Sequence, residues 1–67
     1  MIKELDLHGV RHHEVDWKVE NFVLLEEKPI RIITGNSDRM RELVINVFNS
    51  HSVEYESVKQ GQLTILK

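Results

Sequence analysis

The sequence predicts a small α/β protein, an α+β two-layer sandwich of order βαβαββ with a four-stranded mixed sheet. Three observations predict it. Two short apolar segments, Lys3 to Leu7 and Ile30 to Thr34, are each followed by a run whose apolar residues recur at helical spacing. Two further β-type runs close the chain around a turn that contains a glycine. A length of 67 residues leaves room for one domain, 1–67, with a small core.

In the first strand Leu5 and Leu7 share one face and Asp6 and His8 the other, by the two-residue period. Gly9 closes it. A helix is expected from about His13 to Glu27, with Val15, Val19, Phe22 and Val23 as its apolar stripe and Leu25 and Glu26 at the edge. Trp17 and Leu24 lie off that stripe, free to cover a sheet margin or a partner. Pro29 ends the pattern because a proline disfavours the α conformation in the residue before it. The β-branched run from Ile30 to Thr34 reads as a central strand, closed by Gly35.

The second helix is expected to start near Ser37 or Asp38, both good N-caps. Its stripe is Met40, Leu43, Val44, Val47, Phe48 and His51. Val53 to Val58 and Leu63 to Leu66 are two further strands, joined by a hairpin turn at Lys59-Gln60-Gly61-Gln62. Alternating strand–helix units imply parallel pairing of the first two strands through a right-handed crossover, and the final hairpin must be antiparallel. Two helices cover only one face, so the other face of the sheet is expected to stay open.

Composition excludes several classes. With no Cys there is no disulfide framework and no thiolate zinc site. No apolar run approaches the roughly 18–20 residues that span a bilayer. An acidic residue interrupts the N-terminal stretch where a signal peptide needs an apolar run. The expectation is a soluble cytoplasmic protein without membrane contact. Nine Lys and Arg against eleven Asp and Glu give a net charge of −2, which argues against strong non-specific nucleic-acid binding and leaves room for a local basic site.

Ligands of open parallel sheets bind beyond the carboxyl ends of the strands. Those ends carry Asp6-Leu7-His8-Gly9 and Thr34-Gly35-Asn36-Ser37, and both lead into helix N-termini that favour anions. Asp6 and His8, two residues apart, suit proton transfer with the carboxylate orienting the imidazole. They suit equally a loop hydrogen bond and a strand end. Thr34, Gly35, Asn36 and Ser37 suit phosphate contact, or plain strand termination and helix capping. Arg39 and Arg41 stand in the first turn of the second helix, where the dipole disfavours cations, and Arg11 follows the first strand. These three, extended by Lys59 in the hairpin, form either an anion-binding patch or ordinary surface charge. His8, His12, His13, Asp6 and Glu14 crowd the first loop without H-E-x-x-H spacing, so no metal ligands are assigned.

Leu5-Asp6-Leu7-His8-Gly9, then a helix, then Ile32-Ile33-Thr34-Gly35, and finally Gly61-Gln62-Leu63-Thr64-Ile65 resemble the Smr (small MutS-related) domain family in order and over nearly the whole chain. The family's signature is an L-D-x-H segment on the first strand, a T/H-G-x-G segment after the second and a Gly-rich turn before the closing strand. The resemblance implies a fold like the C-terminal domain of translation initiation factor three, with strand order 1-2-4-3. It also implies binding of DNA or RNA, structured or branched, with nicking endonuclease (phosphodiester hydrolase) activity in some members, often assisted by a divalent metal such as Mg2+ or Mn2+. By position, Asp6 and His8 match the residues tied to activity, and Thr34, Gly35 and Asn36 match the loop. Ser37 departs from the pattern, which has Gly there and so allows positive φ and close approach of a phosphate.

Three readings follow. The first is a nucleic-acid-binding domain that nicks at the carboxyl edge of the first two strands, His8 acting as general base or acid, with the Gly35 loop, Arg39 and Arg41 as clamp. The second is a non-catalytic module of the same fold that binds nucleic acid or protein, favoured by Ser37 and the net negative charge. The third is a small interaction protein forming a weak homodimer through Trp17, Leu24 and Leu66.

Overall fold

The sheet is built around Ile30-Arg31-Ile32-Ile33, whose alternate side chains Ile30 and Ile32 are fully buried. The computed structural model describes residues 2–57 and 59–66. Strand β1 (Lys3–Asp6) is followed by helix α1 (His12–Leu25), strand β2 (Ile30–Ile33), helix α2 (Asp38–Ser50) and strand β3 (Gln62–Ile65). The sheet order is β1-β2-β3. β1 runs parallel to β2, with Leu5 opposite Ile32, and β3 runs antiparallel, with Leu63 opposite Ile32 and Ile65 opposite Ile30.

Both helices pack on the face that carries these residues. Val15, Val19 and Val23 of α1 and Met40, Val44, Val47 and Phe48 of α2 form one core with Leu7, Ile30, Ile32, Leu63 and Ile65. The opposite face is uncovered, as expected, and holds the Arg31–Glu4 ion pair between neighbouring strands. No helix among the described residues is long and apolar enough to cross a membrane.

Several boundaries differ from expectation: β1 ends at Asp6 rather than Leu7, β2 at Ile33 rather than Thr34, and α1 begins at His12 rather than His13. α1 ends at Leu25 rather than Glu27, because Glu26 is extended and Lys28 Nζ donates to the free Val23 carbonyl at 2.7 Å. Leu25, placed at the edge of the apolar stripe, is consequently 79% exposed. The last strand spans Gln62–Ile65 instead of Leu63 to Leu66.

The four-stranded sheet is the larger correction. Among the described residues the sheet has three strands, and the run expected to form the fourth contributes only the antiparallel bridge between Glu56 and Thr64. Both backbone bonds of that bridge form, at 2.7 and 2.9 Å, on the side of β3 turned away from β2. The 1-2-4-3 order thus reduces to three strands and one bridge. After α2, Val53 N–H donates to Phe48 O at 2.8 Å and Tyr55 packs against Phe48 with ring centroids 5.3 Å apart. This tether to the helix holds the chain out of register with β3 until Glu56. The expected strand end at Val58 lies outside the described residues.

Phe48 touches both the sheet core and Tyr55, so its truncation tests the packing. Phe48→Ala is expected to cost about 3–5 kcal/mol in urea unfolding. For a domain of this size that is most of the stability, and a midpoint close to wild type would contradict the core described here.

Candidate functional site

Because β1 and β2 are parallel, their carboxyl ends lie side by side. Pairing continues one residue past β1, with Leu7 N–H donating to Ile33 O at 3.0 Å. The chain then turns over His8 and Gly9, closed by Val10 N–H to Leu7 O at 3.0 Å. Asp6 Oδ1 accepts from the His8 backbone N–H at 2.9 Å, a local turn bond that fixes the carboxylate. The same oxygen is 3.8 Å from His8 Nδ1, close enough for charge attraction and too long for a hydrogen bond. The imidazole is 86% exposed.

Beyond β2 the chain turns at Gly35, which has φ +70°. The hairpin turn before β3 docks on this loop. Gly61, with φ +82°, offers its carbonyl to the N–H groups of Thr34 at 2.8 Å and Gly35 at 3.2 Å. The approach is close enough that a Cβ on Gly61 would stand 3.1 Å from Gly35 O. A Cβ on Gly35 would in turn lie 3.9 Å from His8 Cε1. The two strand-end loops and the hairpin therefore meet at Gly35, and the L-D-x-H and T-G segments are neighbours in space.

A cleft of about 330 Å³ opens beside this junction, lined by Gly35, Asn36, Ser37, Asp38, Arg41, Ser57, Gln60 and Gly61. Ser37 is the N-cap of α2, its Oγ accepting from Met40 N–H at 3.1 Å. Thr34 is buried and its hydroxyl donates to Gly35 O at 3.2 Å, so both Thr34 and the Gly35 N–H serve the loop itself. Arg41 donates to Ser57 Oγ at 2.9 Å on the cleft rim. Arg39 is exposed and pairs with Glu42 at 2.9 Å. Arg11 occupies the N-cap position of α1 without a capping bond. Neither Arg11 nor Lys59 borders the cleft.

Of the expected site residues, the structure gathers His8, Gly35, Asn36, Ser37 and Arg41 and turns Thr34 inward. Sequence reasoning missed Ser57 and Gln60, and read Asp38 and Gly61, which also line the cleft, only as a helix cap and a turn. Gln60 adjoins Gly61 in the turn already singled out, whereas nothing in the sequence links Ser57 to Arg41 sixteen residues earlier. A larger hollow of about 610 Å³ lies apart, beside Lys28, Tyr55, Glu56 and Leu66. Among the described residues, no three His, Asp or Glu side chains come together as metal ligands.

A parallel strand pair whose carboxyl edge bears two loops meeting at a glycine, backed by two helices on one sheet face, defines a small α+β domain with an edge site. Solved structures give the class its family. The chain is similar to the solution structure of the SMR domain of NEDD4-binding protein 2, with 28% identity and a TM-score of 0.63, covering 100% of this chain and 88% of that one. It is also similar to the crystal structure of a human small-MutS related domain, with 26% identity and a TM-score of 0.52, covering 97% and 99%. No protein-family model matches the sequence, and no curated protein matches it significantly. With the motifs in order and adjacent in space, these likenesses identify the chain as an Smr domain.

The glycines make the junction testable. Gly9, Gly35 and Gly61 all have positive φ, but only Gly61 has backbone pressed against the place of a Cβ. Gly61→Ala is expected to cost more than the roughly 1–2 kcal/mol of left-handed backbone strain. Gly9→Ala, where nothing lies within 4 Å, should cost only that strain. Thermal melts of the two variants should separate clearly, and equal melting temperatures would contradict the close approach.

Proposed function

We propose that the domain binds the sugar–phosphate backbone of structured DNA or RNA at the carboxyl edge of β1 and β2. The observation that carries this reading is the meeting of three segments at Gly35, which sets an exposed His8 against one side of Gly35 while Arg41 lines the cleft that Gly35 also borders. The start of α2 borders the same cleft, and the first N–H groups of a helix attract anions. The net charge of −2 requires that binding be local, with few phosphates neutralised.

A second reading, cleavage of a phosphodiester, is supported by the placing of Asp6 beside His8 next to that cleft. His8 takes the proton of an attacking water whose oxygen bonds to phosphorus as the bond to the leaving oxygen breaks. The leaving oxygen then accepts a proton. Asp6 stabilises the imidazolium formed in between. Arg41 balances the charge developing on the phosphoryl oxygens. Asp6 and His8 are the side chains that would contact a divalent cation here, but no third His, Asp or Glu joins them among the described residues, so the donor set does not make a resident metal centre. No step is therefore routed through Mg2+ or Mn2+.

Binding to a short hairpin RNA and a DNA duplex is expected to weaken with salt, log K falling with log salt at a slope of about −2 to −3 if two or three phosphates are engaged. Affinity indifferent to salt would remove nucleic acid as the ligand. For cleavage, supercoiled plasmid and hairpin RNA are incubated with Mg2+, with Mn2+ and with chelator. Nicking by wild type that drops about 100-fold or more in His8→Ala supports the catalytic reading. Equal nicking by wild type and His8→Ala, or none by folded wild type, leaves the binding reading alone.

A further inference from the structure

Arg39 and Arg41 are two cations on the same helix turn, and the structure treats them differently. Arg39 lies on the exposed side of α2, with Glu42 one turn ahead neutralising it at 2.9 Å. Arg41 is partly buried and borders the cleft. Its guanidinium is held from the side by a neutral hydroxyl, Ser57 Oγ, at 2.9 Å. A hydroxyl fixes direction without cancelling charge, and one such bond leaves most of the five guanidinium donors free. The segment that carries Ser57 is itself anchored, since Glu56 immediately before it is bonded to Thr64 through both backbone groups. Asp38 also borders the cleft, so a docking phosphate meets one carboxylate there, and a fixed cation is needed to outweigh it.

We propose that Ser57 is a positioning residue for the phosphate site, aiming Arg41 into the cleft, and that Arg41, not Arg39, is the phosphate contact of α2. This rests on the nucleic-acid reading above and names the side chains that carry it. A guanidinium already pinned loses less side-chain freedom when a phosphate arrives, which is how a hydroxyl that never touches the ligand raises affinity.

The test is a salt titration of binding to one hairpin RNA and one DNA duplex by wild type, Arg41→Ala, Arg39→Ala, Ser57→Ala and Ser57→Thr, each with its melting temperature. Arg41→Ala is expected to weaken binding about tenfold and to reduce the salt slope by about 1, the signature of one lost phosphate contact. Arg39→Ala removes the same formal charge from the same turn and should weaken binding far less. Ser57→Ala should lose about threefold with an unchanged melting temperature, and Ser57→Thr, which keeps the hydroxyl, should restore it. In the Arg41→Ala background Ser57→Ala should have no further effect, because a positioning residue acts only through the group it positions.

Wild type that binds neither nucleic acid overturns the functional reading and this inference together. Wild type that binds while Ser57→Ala is neutral, or is equally harmful without Arg41, overturns the inference alone. Arg39→Ala as costly as Arg41→Ala also overturns it, because net charge rather than aimed charge would then govern binding.

Discussion

Ile30 and Ile32 have no exposed surface, because β1 and β3 pair with the two edges of their strand while α1 and α2 cover their side chains. The domain depends on that double enclosure. A chain of 67 residues has little apolar surface to bury, so its one central strand must serve both sheet edges and both helices. The parallel pairing that encloses one edge is also what brings the two carboxyl-end loops together. Core and candidate site are consequences of the same strand.

The site is shaped by backbone more than by side chains. Gly61 ties Thr34 and Gly35 with a single carbonyl, and the hairpin turn becomes part of the loop that follows β2. Such a junction leaves room for His8 alongside and for Arg41 across the cleft. Ser37, in place of the family's glycine, does the ordinary work of an N-cap for α2. The departure from the motif thus has a structural use.

Other exposed features remain outside this account. Trp17 and Leu24, 52% and 64% exposed, share the outer side of α1, and Lys18 Nζ lies 5.4 Å from the Trp17 ring. His51 meets Glu20 at 3.1 Å, joining the C-terminal end of α2 to α1.

The sequence by itself determined the strand–helix–strand–helix order and the closing strand, the two helical stripes, the centrality of Ile30 to Ile33 and the neighbouring of Asp6-Leu7-His8 with Thr34-Gly35. Each follows from local periodicity or from the chain geometry of a strand–helix–strand unit, which allows few alternatives. Tertiary structure alone decided where α1 stops, how much of the run after α2 joins the sheet and which cations face the cleft. Those outcomes depend on particular side-chain and backbone contacts that the repeat of a strand or helix does not encode. Lys28 caps the Val23 carbonyl, Tyr55 is drawn to Phe48, Gly61 presses on Gly35 and Ser57 holds Arg41. A periodicity reading cannot weigh such contacts, because a strand's pattern is the same whether or not its neighbour comes within reach.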